Sequence, residues 1–209
     1  MSNQNLIFKQ PIILFGNGEI SKHKKALKII NNATTFICLD GGADKLKNLG
    51  FEPDIILGDL DSITQNYNCE IVQLQDPSKS DLEKGILWCL EKKITQLYLV
   101  GFSGKRDDHY FSTLWTMLKY CQSIKLHLYT NFSKIICVKD KKTFKSVPNQ
   151  TISIIVPKND ILITTSKLKY PLQSQKISSP TQGVSNMTTG NEYSIEASDW
   201  IWLFENYSP

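Results

Sequence analysis

At 209 residues, 41% of them hydrophobic, the chain has enough apolar material for one good core and a smaller companion, so two compact units with little disorder are expected. A formal charge of +4 is too modest for a nucleic-acid binder, and the apolar run near the N-terminus is broken by Lys9, Gln10 and Pro11, which argues against a signal peptide or membrane span. Five cysteines, an odd count without CxxC spacing, argue against a disulfide framework or thiolate zinc site and read as small buried residues of a reducing, cytoplasmic compartment.

Through the first two thirds, β-branched or aromatic runs alternate with helical patterns, which predicts a parallel, Rossmann-like α/β sheet. The strands fall at Pro11–Phe15, Thr35–Leu39, Asp54–Leu57, Glu70–Leu74, Thr95–Val100 and Ile124–Tyr129, and the helices around Ser21–Ile30, Ala43–Leu49, Asp81–Lys92 and Asp108–Tyr120. Ser80 is placed to cap the third helix, with Glu83 reaching back to the Ser80 amide. Phe111, Leu114, Trp115 and Leu118 repeat at i, i+3, i+4 and i+7 and predict a core-facing stripe on the fourth. From about Ser133 the pattern turns to short alternating runs at Ile135–Val138, Thr151–Val156, Ile161–Thr164, Tyr193–Glu196 and Ile201–Phe204, without an amphipathic helix. The chain is therefore α/β, with an N-terminal parallel-sheet domain over 1–132 and a C-terminal antiparallel β-sandwich over 133–209.

In an open parallel sheet, ligands bind beyond the carboxyl ends of the strands. The second strand runs into Asp40, Gly41 and Gly42, the third into Gly58, Asp59, Leu60 and Asp61, and the fifth into a loop carrying Ser103, Gly104, Lys105, Arg106 and Asp108. Asp81 opens the helix that follows the fourth. Asp59 and Asp61 are two apart, so an extended backbone aims both at one hard cation such as magnesium; a polar turn is the plainer alternative. Nine of twelve aspartates lie between Asp40 and Asp108, and such crowding calls for a cation. The chain has 23 lysines but a single arginine, Arg106, which suits a place needing a planar, two-pronged donor, for instance to a phosphate. Asp81 also fits as a helix-dipole partner, Asp108 as a helix cap, and His109 fits a structural role better than that of a base. Gly16-Asn17-Gly18 does not make GxGxxG, which counts against a dinucleotide enzyme.

With DGGADKL at 40–46, PDIILGDLDSI at 53–63, KSDLEKGI at 79–86, GFSGKRDDH at 101–109, LKYPL at 168–172 and GVSN at 183–186, the chain resembles the thiamine pyrophosphokinase family over nearly its full length. The resemblance implies an N-terminal α/β catalytic domain that binds ATP, a C-terminal β-sandwich, and a homodimer with thiamine held between subunits. It implies magnesium at Asp59, Asp61 and Asp81, with Asp40, Gly41, Gly42, Ser103, Gly104, Lys105 and Arg106 around the ATP phosphates and Asp108 among the catalytic residues. Tyr170, Ser185 and Asn186 fall at thiamine-associated positions. Lys105 stands where the family carries a second glycine, Ser80 where it carries threonine, and Lys167 where a glycine precedes LKYP; Lys79 has no assigned role. The implied activity is magnesium-dependent transfer of the pyrophosphoryl group of ATP to thiamine. A metal-dependent phosphohydrolase and a catalytically silent thiamine or nucleotide-binding module are the alternatives.

Overall fold

A computed structural model describes residues 8–59, 65–179 and 181–207. The chain divides into two units, Met1–Asn131 and Phe132–Pro209. No described helix is long and apolar enough to cross a membrane.

The first unit contains β1 (Ile12–Phe15), α1 (Lys24–Asn31), β2 (Thr35–Leu39), α2 (Gly42–Asn48), β3 (Ile55–Gly58), β4 (Glu70–Gln73), α3 (Asp81–Glu91), β5 (Gln96–Val100), α4 (Asp107–Tyr120) and β6 (Lys125–Tyr129). The six strands are parallel, in the order β6-β5-β1-β2-β3-β4. The central strands are short apolar runs, and β1, β2 and β3 are buried along their whole length, as strands covered on both faces must be. Edge strand β4 instead carries Glu70 and Gln73 and is largely exposed, which blunts its free hydrogen-bonding edge. The strand order runs outward from β1 through β4 and then jumps back to place β5 on the other side of β1. Such a reversal of strand order is where open α/β sheets place their ligand sites, beyond the carboxyl ends of the strands.

Helix α4 differs from its sequence reading. Phe111 and Trp115 are 62% and 43% exposed, and the residues turned into the core are Thr113, Thr116 and Met117. The two aromatic rings pack edge to face on the outer surface, with centroids 6.2 Å apart. The apolar repeat does lie on a helix, but the side of that helix turned inward carries two threonines and one methionine instead.

The second unit is all-β. It comprises β7 (Ser133–Lys145), β8 (Thr151–Ile155), β9 (Leu162–Ser166), β10 (Gln175–Lys176), β11 (Asn186–Met187) and β12 (Glu192–Asn206). The runs expected as separate strands at Tyr193–Glu196 and Ile201–Phe204 are one strand, β12, paired antiparallel to β7 from Glu192 to Asn206. A register irregularity between Ala197 and Ile201 interrupts the alternation without breaking the strand, as a bulge does. On its other edge the first half of β12 pairs with β9 and the second half with β8. Its inward residues Tyr193, Ile195, Ala197, Ile201 and Leu203 form the spine of the core.

These packings predict a contrast on α4. Met117→Ala should cost about 2–5 kcal/mol of unfolding free energy in urea. Phe111→Ala should cost less than about 1 kcal/mol.

Candidate active site

Within the first unit, the loops after β1, β2, β3 and β5 and the start of α3 surround a cleft of about 1030 Å³. Its framework is main chain. Gly16 N donates to Val100 O (2.8 Å), Gly18 N to Gly101 O (2.6 Å) and Glu19 N to Ser103 O (2.7 Å), which ties the β1 loop to the β5 loop. A Cβ on Gly18 would stand 2.5 Å from Gly101 O, so the two loops meet this closely only with glycine there.

The acidic side of the cleft is built by β2, β3 and α3. Asp40 is 6% exposed, has φ +41° and donates its backbone N–H to Leu57 O (3.1 Å). Its carboxylate fills the space above Gly58, where a Cβ would lie 1.9 Å from Asp40 Oδ1. Asp59 follows at once and lines the cleft with Asp40 and Asp81. Asp61, with Leu60, Ser62 and Ile63 of the same motif, lies outside the described residues. Ser80 Oγ accepts from Glu83 N (3.3 Å) and caps α3. The reciprocal bond from Glu83 is not made: its carboxylate accepts from Lys119 Nζ (2.6 Å) and Tyr120 Oη (2.7 Å) and fastens α3 to α4.

Asp81 pairs with Lys84, Oδ1 to Nζ 2.7 Å. Burial works against the Lys84 ammonium, but the Asp81 bond and the charges of Asp81, Asp59 and Asp40 outweigh it and raise its pKa. Among the described residues, no three His, Cys, Asp or Glu side chains are grouped tightly enough to hold a metal in this arrangement.

Basic side chains gather at the β1 and β5 loops. Lys105 Nζ donates to Asn17 Oδ1 (3.3 Å), and Lys45 Nζ donates to Asn17 O (2.8 Å) and to Gly18 O. Burial, then the neighbouring Lys105 charge, lowers the Lys45 pKa to about 8. Arg106 lies against Asp108 in a two-pronged pair, Nε to Oδ1 3.1 Å and Nη2 to Oδ2 2.6 Å. The Arg106 hydrogen bond is the main cause of a lowered Asp108 pKa. Asp108 does not cap α4, whose N-cap is Arg106 and carries no side-chain capping bond. Ser103, Lys105, Arg106, Asp108 and His109 line the cleft, as does the Asp76–Lys79 ion pair. Gly41, Gly42 and Gly104 belong to the same loops but do not line it.

In the second unit, Tyr170 is 60% exposed with Lys169 Nζ 5.4 Å from its ring centroid. Asn186 is 7% exposed and its side-chain amide is spent on main chain. Oδ1 accepts from Tyr170 N (3.0 Å) and Met187 N (2.9 Å), and Nδ2 donates to Tyr170 O (2.6 Å). Ser185 is exposed, with φ +60° and its N–H donated to Ser153 Oγ (3.0 Å).

The sequence profile described as thiamin pyrophosphokinase, catalytic domain, matches residues 26–130, half of the chain and nearly all of the cleft's acidic and basic elements. The chain belongs to the thiamin pyrophosphokinase family. It is 24% identical to Thiamin pyrophosphokinase 1 of Caenorhabditis elegans, with 93% of each chain covered. It is 28% identical to thiamine pyrophosphokinase of Bacillus subtilis, covering 68% of this chain and 72% of that one. The fold matches the solved structures of thiamine pyrophosphokinase from Bacillus subtilis (TM-score 0.79, 22% identity, 93% and 98% covered) and of thiamin pyrophosphokinase from Candida albicans (TM-score 0.79, 16% identity, 94% and 90% covered).

Departures from the thiamin pyrophosphokinase pattern have local explanations. Lys167 has φ +57°, a conformation in which glycine is natural, and its ammonium is paired with Glu192. Lys105 uses the position of a family glycine to reach Asn17, and Lys79, without a role in the sequence reading, pairs with Asp76. Asn17, Lys45, Asp76 and Lys84 were not singled out from sequence. Asn17 had a signal, since the Gly-Asn-Gly run follows the strand at which the sheet order reverses. Lys84 had one as well, its place in KSDLEKGI one turn after Asp81, although it is one of 23 lysines.

Because the Asn186 amide satisfies both main-chain polar groups of Tyr170, Asn186→Ala should lower stability by about 1–3 kcal/mol in urea unfolding. A loss under about 0.3 kcal/mol would show that water replaces the amide without cost.

Proposed function

We propose that the chain is a thiamine pyrophosphokinase that transfers the pyrophosphoryl group of ATP to the hydroxyl of thiamine, giving thiamine diphosphate and AMP. The observation that carries this reading is that Asp40, Asp59 and Asp81 line one cleft together with Lys105 and Arg106, inside the region shared with the family's catalytic domain.

The acidic donors fit magnesium: they are hard carboxylate oxygens, with no thiolate among them. Asp59, Asp61 and Asp81 would hold the ion, and Asp40 lines the same cleft as Asp59 and Asp81. When bound, magnesium neutralises charge on the phosphates. The chain's own residues do the rest by placement. Asp108 holds the Arg106 guanidinium in a fixed plane, and the three of its five N–H donors that the pair leaves over serve phosphate oxygens. Ser103 and Lys105 border the same phosphates. The thiamine hydroxyl attacks the β-phosphorus, its oxygen forms the new P–O bond, and the bond to the α-phosphate oxygen breaks to release AMP. No side chain is assigned as general base. Tyr170 offers a ring to the cationic thiazolium or the pyrimidine face, Ser185 borders it, and Asn186 fixes the main chain beneath.

The same reading takes the first unit, 1–132, as a Rossmann-like ATP-binding domain and the second, 133–209, as a thiamine-binding β-sandwich. It includes a homodimer in a cytoplasmic setting, supported by the resemblance and by five free cysteines. Sedimentation at micromolar concentration reads the dimer.

Incubation with ATP and magnesium should yield AMP only when thiamine is added; AMP released without thiamine would favour the phosphohydrolase, and no turnover at all the silent module. Asp59→Asn and Asp81→Asn should each lower turnover by about 100-fold or more. Arg106→Lys should lower it at least about tenfold, because an ammonium cannot reproduce the planar fork. Turnover within a few fold of wild type for both aspartate variants would sink the metal assignment.

A further inference from the structure

We propose that Asn17 is a further nucleotide-contacting residue: the β1 loop presents it to the cleft as a donor, and its side-chain amide and main-chain N–H bind oxygens of the ATP phosphate chain. This inference rests on the ATP reading above, which leaves Asn17 without a role.

Asn17 is exposed and lines the cleft. Both of its acceptor oxygens are already taken by ammonium groups. The main-chain oxygen accepts from Lys45 Nζ (2.8 Å), which also reaches Gly18 O, and Oδ1 accepts from Lys105 Nζ (3.3 Å). An ammonium can only donate, so the side-chain atom facing Lys105 is the oxygen, and Nδ2 takes the other position. What Asn17 keeps is its main-chain N–H and the N–H groups of Nδ2, none of which has a hydrogen-bond partner among the described residues. Its neighbours hold no such reserve, because the N–H groups of Gly16, Gly18 and Glu19 are spent on Val100, Gly101 and Ser103. The loop is also pinned from the α2 side, where a Cβ on Gly42 would lie 2.5 Å from Phe15 O. A fixed loop whose carbonyls are covered by cations and whose remaining groups are donors suits an anion. Lys45 and Lys105 repel each other there, with Glu19 offsetting part of the cost, and a polyphosphate beside them offsets more.

The test is calorimetric ATP binding in magnesium chloride, together with KM for ATP and for thiamine, on the wild type, Asn17→Ala and Asn17→Asp. Asn17→Ala should raise the ATP dissociation constant and KM roughly tenfold. If Lys105 alone met the phosphates, this variant would release its ammonium and bind ATP no more weakly than the wild type. Asn17→Asp keeps the shape and the contact to Lys105 but replaces the donor with a charge that repels phosphate, and should raise both constants further. The thiamine KM should stay within about twofold in each. A merely structural role predicts otherwise, since a carboxylate between two ammonium groups ties the loops at least as firmly and would leave ATP binding as it was. With a wild type that binds ATP, a change below about threefold in either variant, or an equal rise in the thiamine KM, overturns this inference alone. A wild type that binds ATP but forms no thiamine-dependent AMP overturns the kinase reading, and the dissociation constants still decide on Asn17. A wild type that does not bind ATP overturns the ATP reading and this inference with it.

Discussion

Carboxylates brought together at one sheet edge repel, and the first unit is organised around the cations that answer them. Asp40 is almost wholly buried, a placement aspartate seldom takes without a partner, and its side chain occupies space that Gly58 leaves open. The fold thus fixes a negative charge at a point where water cannot fully solvate it. Lys84 meets that charge from α3. Without a cation in this position, the free-energy cost of the cluster would draw on the packing of β2, β3 and α3 around it.

That cluster exists because the sheet is parallel. Each of β1, β2, β3 and β5 ends at the same edge, so residues as far apart in sequence as Asn17 and Lys105, 88 positions, become neighbours without any long-range design of side chains. The reversal of strand order at β1 opens the crevice, and the main-chain bonds from Gly16, Gly18 and Glu19 to the β5 loop set its width. Side chains then need only local rules. Ser80 fixes where α3 starts, which fixes Asp81, which fixes the place of Lys84 one turn later.

The sequence made the parallel half legible because its strands are short apolar runs buried on both faces, and such runs end where polar residues begin. For the same reason the sequence places Asp40, Asp59 and Asp81 at one edge, and all three line the cleft. The reading failed where side-chain identity and placement separate. Phe111 and Trp115 form a sound helical stripe, yet periodicity says only that residues share a face, not which way that face turns; Thr113, Thr116 and Met117 won the inner side. In β12 the bulge near Asp199 imitated a turn, because a bulge and a turn break alternation alike. The Asn186 amide is committed to the main chain of Tyr170, a use that no motif spacing reveals. Lys84 and Lys45 lie inside the motifs KSDLEKGI and DGGADKL, but their roles do not stand out because lysine is the chain's default cation. Asp61 falls outside the described residues, so the pairing of Asp59 with Asp61 stays an argument from strand geometry.

Around the cleft nearly every charged group already has a partner: Arg106 with Asp108, Lys84 with Asp81, Lys79 with Asp76. Binding of a metal and a triphosphate is then an exchange of ion pairs rather than the neutralisation of bare charges. Each exchange forfeits an existing attraction, so the net affinity is smaller than the number of contacts implies. What the arrangement gains is order. Side chains held by a neighbour are near their working positions before the ligand arrives, and dipoles fixed in advance need little reorganisation when charge moves along the phosphate chain. The lone arginine fits this logic: its two bonds to Asp108 set the plane of the guanidinium, and a flexible ammonium at the same position would have no plane to set.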